Sequence, residues 1–178
     1  MPTFTTVNVE TLTSASFAPY GWVLGESRLP KNDAVAFRSP ASDFSHEHLF
    51  DAGAGGATEV LWVTYRDAGP EILKLEVHHL TQQAVVPLTQ EIFQVLCLSD
   101  EQQAPDLSTL RAFRISPGVG ICMRPGVWHT TRAVDATCMM LTRPSTTVDL
   151  VAHLTGKQAA TETTIAEIPH VRLQSSNL

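Results

Sequence analysis

From residue 59 onward the apolar residues come in short runs, each broken by a turn after roughly 8–12 residues. The stretch 59–66 reads Glu-Val-Leu-Trp-Val-Thr-Tyr-Arg, rich in the β-branched and aromatic side chains that fit a pleated sheet. Asp67-Ala68-Gly69-Pro70 ends it. Residues 72–78 alternate apolar and polar, residues 84–88 and 92–98 are apolar runs, and 99–105 is a polar loop. Further runs lie at 110–115, 120–123 and 137–142. No helical period separates them, so the units are not βαβ units, and the pattern predicts an all-β sandwich or barrel. Residues 13–18 suit one short helix capped by Ser or Thr. Residues 25–58 read as loop with a short strand near 35–37. The tail, 155–178, is polar and weakly patterned, with Ile165, Ile168 and Val171 available to dock it. One domain over 1–178 is expected: 1–58 packs on a barrel core of 59–143, and 144–178 extends it.

Composition narrows the function. The chain has 178 residues, 43% of them hydrophobic and 17% charged, which is globular rather than disordered. Net charge is −6 and Lys and Arg nowhere cluster, so no nucleic-acid partner is expected. No apolar run approaches the roughly 18 residues of a membrane span, so no membrane partner is expected either. Residues 1–20 have neither a basic nor an apolar signal region. Cys97, Cys122 and Cys138 are odd in number and sit in apolar runs, which predicts buried free thiols and a reducing, cytoplasmic setting.

The chemistry concentrates in Leu75-Glu76-Val77-His78-His79-Leu80-Thr81-Gln82-Gln83. Side chains alternate on a strand, so Glu76 and His78 share a face. Gln83 can enter the same space from a neighbouring strand. Far downstream, Met123-Arg124-Pro125-Gly126-Val127-Trp128-His129 delivers a further imidazole after a Pro-Gly turn. Two strand-borne ligands two apart, a third shortly after and a distant His form a layout similar to that of a cupin barrel, an antiparallel double-stranded β-helix or jelly roll. One carboxylate, two imidazoles and one amide oxygen can hold a divalent metal such as Ni, Mn, Zn or Fe. Two other readings stand beside this: a metal-free cupin whose inward polar residues bind an organic ligand, and a solvent-facing Glu76 and His78.

Arg66 ends a strand just before the Pro70 turn. Its planar fork suits a carboxylate at the barrel mouth, or it is a solvated strand-end residue. Arg111 suits a structural salt bridge. His46 and His48 are either a lid contribution or a solvated loop. His153 and His170 carry no argument.

Four blocks together resemble the ureidoglycolate lyase family. They are Leu75-Glu76-Val77-His78 through Gln83 to Leu88, Pro105-Asp106-Leu107-Ser108-Thr109-Leu110-Arg111-Ala112-Phe113, Gly120-Ile121 through Val127-Trp128-His129, and Leu12 through Phe17-Ala18-Pro19-Tyr20-Gly21. The resemblance covers about residues 12–143. It implies a cupin-type barrel, usually a homodimer, that cleaves ureidoglycolate to glyoxylate and urea in allantoin breakdown, with no organic cofactor. It puts the family's Glu-x-His, Gln and Trp-His positions on Glu76, His78, Gln83, Trp128 and His129, and its strand-end Arg on Arg66. The chain departs from the family at Met123-Arg124, where a Tyr-His pair is usual, at Thr130, where a second His is usual, and at Ser39-Pro40-Ala41.

The implied reaction asks for a base on the carbinol hydroxyl, a proton for the departing ureido nitrogen and an anchor for a small carboxylate. His78, His129 and Glu76 are the catalytic candidates, Arg66, Gln83 and Trp128 the substrate-binding ones, and Glu76, His78, Gln83 and His129 the metal ligands. The competing class is a non-catalytic small-carboxylate-binding or regulatory cupin, or a cupin enzyme with another substrate. A dioxygenase is disfavoured, because it wants a His-rich iron site.

Overall fold

The computed structural model describes residues 5–26, 35–67 and 69–174. The first four and last four residues of the expected flanking segments, 27–34 within the expected loop and Ala68 in the turn lie outside them. In chain order the elements are β1 (Thr5–Thr11), α1 (Ser14–Phe17), β2 (Gly21–Leu24), β3 (Val35–Arg38), β4 (Asp43–Ser45), β5 (Glu59–Arg66), β6 (Glu71–His78) and β7 (Gln83–Pro87). Then follow β8 (Ile92–Ser99), β9 (Pro105–Ile115), β10 (Gly120–Met123), β11 (Trp128–Arg132), β12 (Asp135–Thr142), α2 (Pro144–Leu154) and β13 (Thr163–Gln174).

Six strands close into a ring in the order β1-β13-β6-β11-β8-β9. Five more form a second sheet, β2-β10-β7-β12-β5, and β3 pairs with β4 alone. The β-barrel expected from the strand spacing is present, with two short helices. Its pairings are antiparallel except at β1, which runs parallel to both β13 and β9 and so closes the ring.

Alternation sorts the side chains into two cores. Val77 of β6, Phe93, Val95 and Cys97 of β8, Ala112 of β9, Trp128 of β11 and Val171 of β13 fill the ring. Ile92 and Leu96 of β8 point the other way and pack with Val85, Ile121, Met123, Cys138 and Met140 of the five-stranded sheet. Each such fully buried large side chain contributes about 1.5–3 kcal/mol. Phe17 of α1 also enters this second core. Its helix starts at Thr13, which forms a capping box with Ser16, as the sequence predicts. The three cysteines are buried and unpaired, and burial pushes Cys97 and Cys122 up to about 12 and Cys138 up to about 11.

The tail differs from expectation. Residues 163–174 are not a loosely docked segment but a long strand of the ring. Its register slips between Glu167 and Val171, which pair with Lys74 and Ile72. Pro169 lies in that slip, where a residue without an N–H costs no ladder hydrogen bond. The slip breaks the alternation that would reveal a strand in the sequence.

Candidate functional site

Three structural facts bring the site together. Glu76 and His78 sit on β6 with their side chains away from the ring interior, opposite to Leu75 and Val77. His129 of β11 is the cross-strand partner of Glu76, so the two share that face. The turn ahead of His129 is tied to β6 directly: the Gly126 N–H donates to the His78 carbonyl at 2.9 Å. Gly126 has φ of +80°, which favours glycine. Ser99 pins the same turn, donating to the Gly126 carbonyl and accepting from the Trp128 indole, each at 3.1 Å.

The result is a cluster between the ring and the five-stranded sheet. The His78 and His129 rings lie 5.1 Å apart at 63°. Gln83 reaches across from β7, its Nε2 at 3.1 Å from His78 Nε2. His129 Nε2 stands 3.4 Å from Glu76 Oε1. Ligand atoms of Glu76, His78 and His129 all fall within 4.8 Å of one another. Glu76, His78 and Gln83 open on a cavity of about 370 Å³. Its walls are Leu61, Val63 and Tyr65 of β5, Met140 and Thr142 of β12, and Thr146, Thr147, Leu150, Val151 and Leu154 on the side of α2.

Hydrogen bonds fix the tautomers. The Val127 carbonyl can only accept, so His129 Nδ1 donates to it at 3.0 Å and Nε2 is the nitrogen turned toward Glu76. That Nε2 is buried and lacks a hydrogen-bond partner among the described residues. The 3.4 Å approach of Glu76 is an ion-pair distance without hydrogen-bond alignment. His78 Nε2 accepts from the Gln83 amide, which leaves Nδ1 to donate to Thr163 Oγ1 at 3.0 Å. Burial, reinforced by the neighbouring His129, lowers the His78 pKa to about 4, so His78 is neutral over the ordinary range. For Glu76, burial raises the pKa, but contact with the His129 imidazole and the nearby His78 outweigh it and the net shift is downward. Burial also lifts Tyr65 to about 12, so its phenol keeps its proton beside a carboxylate that does not.

Of the residues singled out in the sequence, Glu76, His78, Gln83 and His129 meet. Arg66 does not reach them. On β5 the alternation turns Leu61, Val63 and Tyr65 to the cavity and leaves Arg66 exposed on the opposite face with Trp62. Trp128 is also displaced, because it points into the ring core while His129 points out of it. His48 is no lid: its ring stacks on Trp22 at 4.2 Å, and Nε2 donates to Gln82 Oε1 at 2.9 Å on the far side of the five-stranded sheet. His46 is exposed. Arg111 forms the structural ion pair, to Glu10, and donates to the Ser16 carbonyl at 2.9 Å.

The sequence reading missed Tyr65, Thr142 and α2. The alternation of 59–66 already placed Tyr65 opposite Arg66. Pro144 at the first helical turn was a start signal for α2, but the β-branched run Thr146-Thr147-Val148 obscured it. Asp149 fastens this helix: it is buried and accepts from the Thr161 N–H and hydroxyl and the Glu162 N–H. Glu162 in turn accepts from Ser145 and Thr146. The departures from the family fall outside the lining. Met123 fills the core as cross-strand partner of Gln83, Arg124 covers the Trp22 ring at 4.2 Å, and Thr130 accepts from Arg132.

Comparison with known proteins follows the same line. The family model described as ureidoglycolate lyase matches residues 4–160. A putative ureidoglycolate lyase of Agrobacterium fabrum is 31% identical over 128 residues, covering 70% of this chain and 72% of the relative. A ureidoglycolate lyase of Burkholderia mallei is 32% identical over 127 residues, with the same coverage. Among solved structures, oxalate decarboxylase from Bacillus subtilis overlaps 80% of this chain and 45% of its own, at 12% identity and a TM-score of 0.36, too low to carry an argument. The family match spans most of the sequence, and the chain belongs to the ureidoglycolate lyase family.

Proposed function

We propose that the chain is a lyase that cleaves ureidoglycolate to glyoxylate and urea in purine catabolism. The observation that carries this reading is the meeting of two imidazoles, a carboxylate and an amide in one cluster beside a small cavity, in a chain of this family. Such a cluster is costly to bury unless it binds something.

The donor set fits a divalent transition metal. His129 Nε2 and the Glu76 carboxylate face each other at 3.4 Å, and His129 Nε2 has no hydrogen-bond partner among the described residues, an arrangement that suits a shared cation. His78 Nε2 is occupied by the Gln83 N–H, and turning that amide over would offer its oxygen as a fourth ligand. Ni, Mn, Zn or Fe suits one carboxylate, two imidazoles and one amide oxygen. When bound there, such a cation supplies a counter-charge for the substrate carboxylate and acidifies the carbinol hydroxyl. Among the described residues, no Lys or Arg lines the cavity to do the first of these tasks.

The protein groups complete the reaction. Ureidoglycolate carries its hydroxyl and its ureido nitrogen on one carbon. One oxygen of Glu76 takes the hydroxyl proton, the carbonyl of glyoxylate forms as the C–N bond breaks, and the proton passes to the departing nitrogen. The Glu76 oxygen that does not face His129 can take the proton from the hydroxyl and return it to the nitrogen, so a single residue moves the proton. The Val127 carbonyl holds His129 and Thr163 holds His78 in the tautomers that present Nε2. Helix α2 lines one side of the cavity with the apolar side chains of Leu150, Val151 and Leu154. No net oxidation occurs, so the reaction calls for no redox cofactor.

The working form is a homodimer in the cytoplasm, with the chain folded as one domain. The metal content and glyoxylate release of the purified protein test the reading together. About one divalent metal per chain and stoichiometric glyoxylate and urea are expected. Metal-replete protein that releases neither product would refute it.

A further inference from the structure

The cavity wall holds one hydroxyl with nothing to do. Thr142 ends β12, is 3% exposed and lines the cavity, and its Oγ1 has no hydrogen-bond partner among the described residues. The neighbouring threonines of the wall are committed: Thr146 donates to Glu162 at 2.6 Å, and Thr147 donates to Glu59. The Tyr65 phenol is engaged with Thr131. Leu61, Val63, Met140 and Leu150 contribute only apolar surface. A buried hydroxyl left open is destabilising, so its persistence on a cavity wall points to a ligand.

Register says which part of a ligand it meets. Leu141 of β12 pairs with Ala84 of β7, the last pair of that ladder, so continuing its register sets Thr142 opposite Gln83, and both line the cavity. Residues directly opposite share a face. Thr142 therefore stands beside the amide that contacts His78, at the five-stranded-sheet side of the cluster. We propose that Thr142 is a specificity-determining residue whose hydroxyl, beside the Gln83 amide, binds the ureido group of the substrate. The assignment rests on the lyase reading above. A ureido group presents N–H donors and a carbonyl acceptor in one plane. A hydroxyl and a primary amide side by side present both complements, and the apolar remainder of the wall presents neither. The ureido end then lies against β7 and β12, and the carbinol carbon lies over Glu76.

The test uses Thr142→Val, which keeps the shape and removes the hydroxyl, and Thr142→Ser, which keeps the hydroxyl. Two readouts are taken: steady-state glyoxylate release, and calorimetric binding of ureidoacetate, which carries the ureido and carboxylate groups but has no hydroxyl to lose. In Thr142→Val, KM and the ureidoacetate dissociation constant should each rise roughly 10- to 100-fold. Thr142→Ser should stay near the parent, and glycolate, which lacks the ureido group, should bind all three proteins equally. The thermal midpoint of Thr142→Val should not fall, because the hydroxyl has no partner among the described residues. Parent-like KM and ureidoacetate binding in Thr142→Val would overturn the assignment, as would a lowered midpoint with equal weakening of glycolate. If ureidoacetate binding depends on Thr142 but the parent protein releases no glyoxylate, the ureido contact stands and the lyase reading falls.

Discussion

His129 Nε2 and Glu76 Oε1 face each other at 3.4 Å, an ion-pair distance. The other ring nitrogen, Nδ1, donates to the Val127 carbonyl at 3.0 Å, which turns Nε2 toward the carboxylate. Contact with the imidazole favours the charged form of Glu76, and a proton or a cation between the two atoms joins them. This pair is the feature from which the chemistry of the site follows.

Glu76→Gln is the direct probe of that contact. The fold favours the charged carboxylate, so at neutral pH the metal-free variant should melt below the metal-free parent. Chelation should lower the midpoint of the parent and leave the variant nearly unchanged, since a ligand that binds only the folded state adds stability in proportion to its affinity. Activity should drop by roughly 10²–10⁴ with loss of the proton acceptor. Melting curves with and without chelator, beside a glyoxylate assay, check all three; a metal-free variant more stable than the metal-free parent would contradict the attraction between Glu76 and the imidazoles.

The lowered pKa of His78 sets a pH window for stability. In the unfolded chain the imidazole titrates near 6.5, and in the folded protein near 4. Between those values the unfolded state binds the extra proton, so stability is present above about 6.5 and is lost as pH falls toward 4. The effect is on the order of 3 kcal/mol at full extent. Glu76, whose pKa is also lowered in the fold, adds loss of the same sign at still lower pH. Denaturant unfolding of metal-free protein from pH 7 to pH 4 should show this slope, and His78→Gln should flatten it. An unchanged slope in His78→Gln would assign the dependence elsewhere.

Arg66 should be dispensable. It is exposed on the face of β5 that turns away from the cavity. Arg66→Ala should leave KM within about twofold and stability within about 0.5 kcal/mol, as for an ordinary surface change. A strongly raised KM would return this arginine to the substrate.

What the sequence made legible follows from local periodicity. Alternation alone put Glu76 and His78 on one face, and the Pro125-Gly126 turn announced that His129 would arrive beside them. The same alternation, carried one residue further, separates Tyr65 from Arg66 and His129 from Trp128. In the first pair the sequence reading favoured Arg66, and in the second it chose His129 but added Trp128, because family motifs mark positions without marking the face. What stayed hidden is mostly non-local: β1 and β2 fell in a segment read as helix and loops, and β1 is defined only by its pairing with β13 and β9. Strand β13 is masked by its slip around Pro169 and is defined only by pairing with β6 and β1. Helix α2 is polar and β-branched, and its place over the cavity is set by Asp149 gripping residues 161 and 162. Thr142 could not be found from sequence at all, since its interest lies in a bond it does not make.

The measurement that bears most directly on the central claim is glyoxylate release from ureidoglycolate by the parent protein and by His129→Ala at matched metal loading, with circular dichroism to confirm that both are folded. Among the described residues His129 Nε2 has no hydrogen-bond partner and Nδ1 bonds only the Val127 carbonyl, so the variant should fold and melt within a few degrees of the parent while its turnover falls to the uncatalysed background. A folded His129→Ala protein that releases glyoxylate at the parent's rate would show that the cluster of Glu76, His78 and His129 is not where the reaction takes place.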